Sequence, residues 1–184
     1  MKSLLAAALL LTSSLFASTV TLTFVAYPDG AAAPYDFTLN GNPIKWICDT
    51  DFRTISPGDT WTATEDKVGQ GPLGTDLEQR TIAELMLEEF AAPAGSQQQA
   101  DLQYAQWSIL LPTNVLTAAQ SSDLSAATLF ASNHPDAYFS NIVFDDNPGP
   151  FQDGGHEVPE PSSLALLGSG LIGLGALARR KLTA

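Results

Sequence analysis

The residue with the clearest chemical potential in this sequence is its single cysteine, Cys48. A thiol is a nucleophile, and cysteines of exported proteins are usually paired as disulfides. The two ends of this chain, described below, predict export, yet Cys48 has no partner within it. It is therefore either a small buried apolar residue or one half of a reactive pair. The second interpretation requires another residue that a thiol can attack.

A candidate partner for the thiol is Gln103, within the segment Leu102-Gln103-Tyr104-Ala105-Gln106-Trp107. This segment resembles the Gln-x-Ala-x-Trp signature of thioester domains found in surface adhesins. Ile47-Cys48-Asp49 resembles the upstream half of that family's site. The resemblance covers residues 44–111, including a helix-like stretch before the glutamine.

The resemblance implies a thioester between Cys48 and Gln103, with Trp107 shielding it from water. The thiol would attack the side-chain amide and expel ammonia, and a lysine amine on another protein would then capture the acyl group as an amide. The alternative is a related fold without this bond, in which Tyr104 and Trp107 form only the core stripe of a helix.

Patterns for other chemistries are weak. His134 and His156 have no partner at metal-ligand spacing, and the acidic residues near Asp49 and Asp145 lack the spacing of a calcium loop. No Gly-x-Ser-x-Gly segment or phosphate-binding glycine loop is present. We therefore expect no catalytic residues, no metal and no cofactor in a non-enzymatic protein. A secreted calcium-binding or hydrolytic protein is a further alternative.

Alternating apolar residues predict the strands that would carry Cys48. Residues 19–24 alternate strictly, as in a strand with one buried face. Residues 35–39 and 44–48 flank the turn segment Asn40-Gly41-Asn42-Pro43, which predicts a hairpin with Cys48 on its inward face. A short strand is expected around Trp61 and Ala63.

Helical periodicity follows the strands and would carry Gln103. Capping signals and apolar stripes predict helices over residues 76–91, 96–111 and 117–132, and a strand over 138–145. The sequence therefore predicts an α+β domain over residues 19–146, with N-terminal antiparallel strands, three central helices and a C-terminal strand. Proline and glycine then predict a linker over residues 147–158.

The N-terminal segment is typical of a secretory signal peptide. Lys2 precedes an apolar run over residues 4–11, and small or polar residues follow. We expect cleavage after Ala17 or Ser18, so that residues 1–18 are absent from the mature protein.

The C-terminal segment predicts one short transmembrane helix over residues 162–178. At about 1.5 Å per residue this stretch is just long enough for a bilayer core. The basic residues after it, Arg179, Arg180 and Lys181, favour a cytoplasmic end, with the domain on the other side of the inner membrane.

Pro159, Glu160 and Pro161 stand immediately before this predicted helix. The order of motif, apolar run and basic end over residues 159–184 closely resembles the PEP-CTERM sorting signal, which an exosortase recognises in Gram-negative bacteria. The resemblance implies an anchored precursor at the inner membrane, followed by processing and delivery to the cell surface or an exopolysaccharide matrix. A plain membrane anchor is the alternative.

The composition limits the partners. The 184 residues include 20 acidic and 8 basic ones, giving a net charge of −12, and suffice for one domain core. This charge has the wrong sign for binding nucleic acid. The expected partners are an exosortase, the inner membrane, and an extracellular polysaccharide or a surface protein amine.

Overall fold

The computed structural model describes residues 18–27, 34–49, 54–149 and 152–158. Its six strands are β1 (Ser18–Ala26), β2 (Tyr35–Leu39), β3 (Asn42–Cys48), β4 (Thr60–Lys67), β5 (Ile142–Asp146) and β6 (Gly154–Glu157). They form a closed antiparallel barrel in the order β1-β2-β3-β6-β5-β4, in which β4 pairs with β1.

Three helices lie in the chain between β4 and β5: α1 (Asp76–Ala91), α2 (Gln97–Leu110) and α3 (Ala118–Ser132). A single 3-10 turn, Asp136–Phe139, leads from α3 into β5. Side chains of Thr75, Ser96 and Thr117 cap the three helices by accepting hydrogen bonds from main-chain N–H groups. The predicted helix starts at residues 76, 96 and 117 agree with the observed starts to within one residue, and the predicted capping box of Thr75 and Glu78 is present.

The predicted hairpin is present as β2 and β3. Its turn places Asn40 and Gly41 at positive φ values of 50° and 83°, which asparagine and glycine accommodate more readily than other residues. Phe37 pairs with Ile44 across the hairpin, and Tyr35 pairs with Trp46. This register places Cys48 at the end of β3.

The last three residues of β3 are buried on both faces of the strand. Trp46 and Cys48 belong to a cluster inside the barrel, while Ile47 belongs to a second cluster between the barrel and the helices. Successive side chains of a strand point to opposite faces, which accounts for this division. The strand thus links the barrel interior to the helical layer.

The fold-class prediction of an α+β domain was wrong, because the strands close into a six-stranded antiparallel barrel with three helices against it. The sequence pattern missed β6, Gly-Gly-His-Glu, because it has no apolar alternation and two glycines that resemble a turn. These residues lie within the segment predicted as a linker, and they instead pair with both β3 and β5 to close the barrel.

Both predicted membrane-directed segments fall mainly outside the described residues. Among the described residues, none of the helices is long and apolar enough to cross a bilayer. The predicted transmembrane helix over residues 162–178 and residues 1–17 of the predicted signal peptide lie outside that part of the chain, whereas Ser18 is the first residue of β1.

Candidate functional site

Cys48 lies where the barrel meets α2. Its side chain is 3% exposed and belongs to the barrel-interior cluster, against which Tyr35 and Trp107 also pack. The inward orientation predicted from strand alternation is therefore confirmed. The thiol therefore lies at the boundary between the barrel and the helical layer, which residues far apart in the sequence form.

Three side chains of α2 donate hydrogen bonds to the main-chain oxygen of Cys48. The donor atoms are Gln103 Nε2 at 2.8 Å, Gln106 Nε2 at 3.1 Å and Trp107 Nε1 at 3.0 Å. Residues separated by three and four positions share a helix face, which is why all three reach one acceptor. This oxygen is the point at which the helical layer is joined to the end of β3.

Hydrogen bonds fix the start of α2 and so position Gln103 opposite the main-chain oxygen of Cys48. Ser96 caps the helix through the N–H of Gln99. The Gln99 amide donates to the main-chain oxygen of Glu89 at 3.1 Å and accepts from the N–H of Gly95 at 2.8 Å. The Gln99 side chain thereby bridges the two ends of the short connection between α1 and α2, and this fixes where α2 begins.

Burial around Cys48 disfavours the charged forms of titratable side chains. Desolvation raises the pKa of the Cys48 thiol to about 12, and smaller effects come from Tyr35, Asp49 and Glu89. Desolvation is also the largest cause of the raised pKa of Tyr35, followed by its interaction with Cys48. The thiol is therefore neutral at physiological pH, and an attack by its sulfur requires a proton acceptor.

Several oxygen atoms near Cys48 are buried without a hydrogen-bond partner among the described residues. They are Oε1 of Gln103, Oε1 of Gln106, Oδ1 of Asp49 and both carboxyl oxygens of Glu89. Burial raises the pKa of Glu89 well above its usual range and so favours the neutral form of this carboxyl group. Unpaired buried acceptors are costly and tend to occur at functional sites.

The structure brings the three residues of the predicted thioester site together. The observed contact joins the Gln103 side chain to a main-chain atom of Cys48, whereas the predicted bond would join the sulfur to the Gln103 amide carbon. That bond stays a prediction. Gln106, Tyr35 and Glu89 were not singled out as site residues from the sequence, since their role depends on burial between layers.

The acidic residues considered for calcium lie near one another at the end of β3. Burial is the main cause of the strongly raised pKa of Asp49, and the charges of Asp153 and Asp146 contribute. Asp153 Oδ1 is already used, since it accepts from the N–H of Asn147 at 2.7 Å.

The PEP-CTERM protein-sorting motif matches residues 157–181 of this chain. The match contains Pro159, Glu160 and Pro161 and the basic residues Arg179, Arg180 and Lys181. The chain carries a PEP-CTERM sorting signal. The sequence-based recognition of this signal is confirmed. No curated protein and no solved structure matches the chain.

PEP-CTERM signals are recognised by an exosortase, so this chain enters the exosortase sorting system and is exported with membrane-associated processing. The first residue of the matched segment, Glu157, is also the last residue of β6. Val158 follows it, and its N–H donates to the main-chain oxygen of Asn141 at 2.8 Å. The barrel therefore extends directly to the start of the PEP-CTERM signal.

Proposed function

We propose that this chain is a non-enzymatic protein of the cell surface or exopolysaccharide matrix, delivered there through its PEP-CTERM signal. The supporting observation is that the signal begins at Glu157, the final residue of the barrel. Processing near Pro159 would release or transfer the complete barrel. An anchored precursor at the inner membrane would precede that step.

The net charge of −12 supports an extracellular role in which the protein stays soluble. The expected partner after sorting is an extracellular polysaccharide or a surface protein. Since the chain is not proposed to turn over a substrate, incubation with a panel of polysaccharides should leave them intact. Detectable cleavage of any of them would contradict the non-enzymatic assignment.

The sorting proposal is tested in cells that contain the cognate exosortase. We would compare the natural chain with a variant carrying Pro159→Ala, Glu160→Ala and Pro161→Ala, using fractionation and intact mass. The natural chain should lose its tail and reach the surface or the medium, while the variant stays in the inner membrane with its tail intact. Pro148→Ala, an exposed proline before the motif, serves as the matched control. Equal sorting of all three proteins would overturn the proposal.

A second candidate function is covalent attachment to a partner amine through a Cys48–Gln103 thioester. It is favoured by one observation, the 2.8 Å hydrogen bond from the Gln103 amide to the main-chain oxygen of Cys48. In the reaction, Sγ of Cys48 would bond to the amide carbon of Gln103, and the thiol proton would leave with the amide nitrogen as ammonia. A partner amine would then form an amide with Gln103 and regenerate the thiol.

Intact mass without reducing agent tests this second candidate. A thioester would make the mature protein one ammonia lighter than its sequence, and methylamine treatment would add one methylamine. Cys48→Ala should abolish both mass changes. An unmodified natural protein that does not react with methylamine would remove the candidate and leave the sorting proposal unaffected.

A further inference from the structure

A second polar cluster lies inside the barrel, on strands β4, β5 and β6. Glu65 of β4, Asp145 of β5 and His156 of β6 each have one ligand atom within 4.8 Å of those of the other two. Glu65 pairs with Asp145, and His156 pairs with Val143, so strand alternation places the three side chains on the same face of the sheet. Three adjacent strands thus bring together residues that are distant in sequence.

The orientation of the His156 ring is fixed by Asp145. His156 Nδ1 lies 2.9 Å from Asp145 Oδ2, and the same oxygen accepts a hydrogen bond from Trp46 Nε1 at 2.9 Å. Because a carboxylate oxygen accepts, Nδ1 carries the proton in this contact. The other ring nitrogen, Nε2, then faces Glu65, whose Oε1 is 3.7 Å away.

One atom of this cluster has no partner among the described residues. Asp145 is completely buried, yet its Oδ1 accepts no hydrogen bond. On Glu65, the Ser18 hydroxyl contacts Oε2, while Oε1 is directed at His156. Glu65 is 20% exposed, which provides a route from solvent. The cluster therefore has an oriented imidazole, a partly accessible carboxylate and a buried acceptor that lacks a donor.

We propose that Glu65, Asp145 and His156 form a binding site for a divalent cation of the zinc class. His156 Nε2 and Glu65 Oε1 would bind the ion directly. An ion about 2.1 Å from each of these atoms, which lie 3.7 Å apart, would have an angle of about 124° between the two bonds, about 15° wider than the ideal tetrahedral angle that zinc prefers. An imidazole ligand favours zinc over calcium, whose ligands are oxygen atoms.

Asp145 would act as a positioning residue in this site. A metal-bound histidine commonly donates its second N–H to a carboxylate, which is the contact that Asp145 Oδ2 makes here. A water molecule on the ion would donate to the unpaired Oδ1. The two carboxylates balance the charge of the ion.

Zinc titration of the full chain, after removal of metals with EDTA, tests this site. Calorimetry should detect one site, and zinc should raise the thermal unfolding temperature. Glu65→Gln and Asp145→Asn should each weaken binding at least about tenfold. Glu157→Gln, the same charge change at an exposed residue of β6, should have no effect.

The unfolding temperatures of all variants in EDTA report whether the barrel is intact. No zinc binding by the natural chain would overturn the proposal. Equal binding by the natural chain and Glu65→Gln would also overturn it, since the ion would then sit on the acidic surface. Neither result depends on the sorting signal or on Cys48.

Discussion

The amide nitrogen of Gln103 lies 2.8 Å from the main-chain oxygen of Cys48, across 55 residues of sequence. This hydrogen bond connects the end of β3 with the middle of α2. Gln106 and Trp107 donate to the same oxygen, although a carbonyl oxygen has only two lone pairs. The junction between barrel and helices therefore has more donors than its acceptor requires.

This excess of donors predicts that single changes at the junction are mild. Gln106→Leu removes one donor and also the unpaired Oε1 of Gln106, so we expect less than about 1 kcal/mol loss in the free energy of unfolding. Urea denaturation measures it. The double variant Gln106→Leu/Trp107→Phe should cost more than the sum of its single changes, because only Gln103 then remains. A loss of about 3 kcal/mol from Gln106→Leu alone would contradict this account.

The Cys48 thiol should be almost inert in the folded protein. Its pKa of about 12 and its burial predict alkylation by iodoacetamide at pH 8 at least about 100-fold slower than in urea. Mass spectrometry of timed samples measures both rates. Rapid labelling of the folded chain would contradict the burial of the thiol. A thiol that stays unreactive even in urea, in a chain one ammonia lighter, would instead reveal the thioester.

Glu89→Gln should stabilise the protein at neutral and alkaline pH. Burial raises the folded-state pKa of Glu89, so the stability of the natural chain is greatest below the unfolded pKa of about 4.3 and falls as the pH rises through the folded pKa. The neutral amide removes this loss. We expect a gain of about 1–3 kcal/mol at pH 8 and no difference near pH 4, measured by urea denaturation.

The neighbouring Glu88 provides the control for this prediction. Partial burial, and to a smaller extent the charge of Asp123, also raises the pKa of Glu88, so Glu88→Gln should stabilise the protein at pH 8 in the same direction but by less than about 0.5 kcal/mol. A pH-independent difference between Glu89→Gln and the natural chain would show that the Glu89 carboxyl group is not held neutral by burial.

Local patterns in the sequence were sufficient to predict the helices, the hairpin and the inward orientation of Cys48. They were insufficient for the barrel, because closure depends on the short strand β6 pairing with β3 and β5, which local alternation does not encode. His156 illustrates the same limit. In sequence it follows two glycines and resembles a turn residue, yet β6 places it 2.9 Å from Asp145.

The candidate site was predictable where residues share one helix face and unpredictable where burial comes from another layer. Gln103 and Trp107 are four positions apart on α2, and that spacing predicted their common orientation. Gln106 is a polar residue that is fully buried, and only the contact of its amide with the main-chain oxygen of Cys48 explains that burial. The raised pKa of Glu89 likewise comes from burial, which depends on the elements that pack against α1.

Gly154→Ala should disrupt the closure of the barrel. A Cβ atom at Gly154 would lie 2.2 Å from the main-chain oxygen of Ile47 and 2.3 Å from the Trp46 ring, so β3 and β6 would have to separate. We expect a loss of about 3 kcal/mol or more in the free energy of unfolding, measured by urea denaturation and tryptophan fluorescence. Gly71→Ala is the control. Its new Cβ would lie 3.1 Å from the Cβ of Asp66, so we expect a loss of less than about 1 kcal/mol in the free energy of unfolding. Equal stabilities would mean that β6 does not hold the barrel closed, and that the chain leaves the barrel before the sorting signal begins at Glu157.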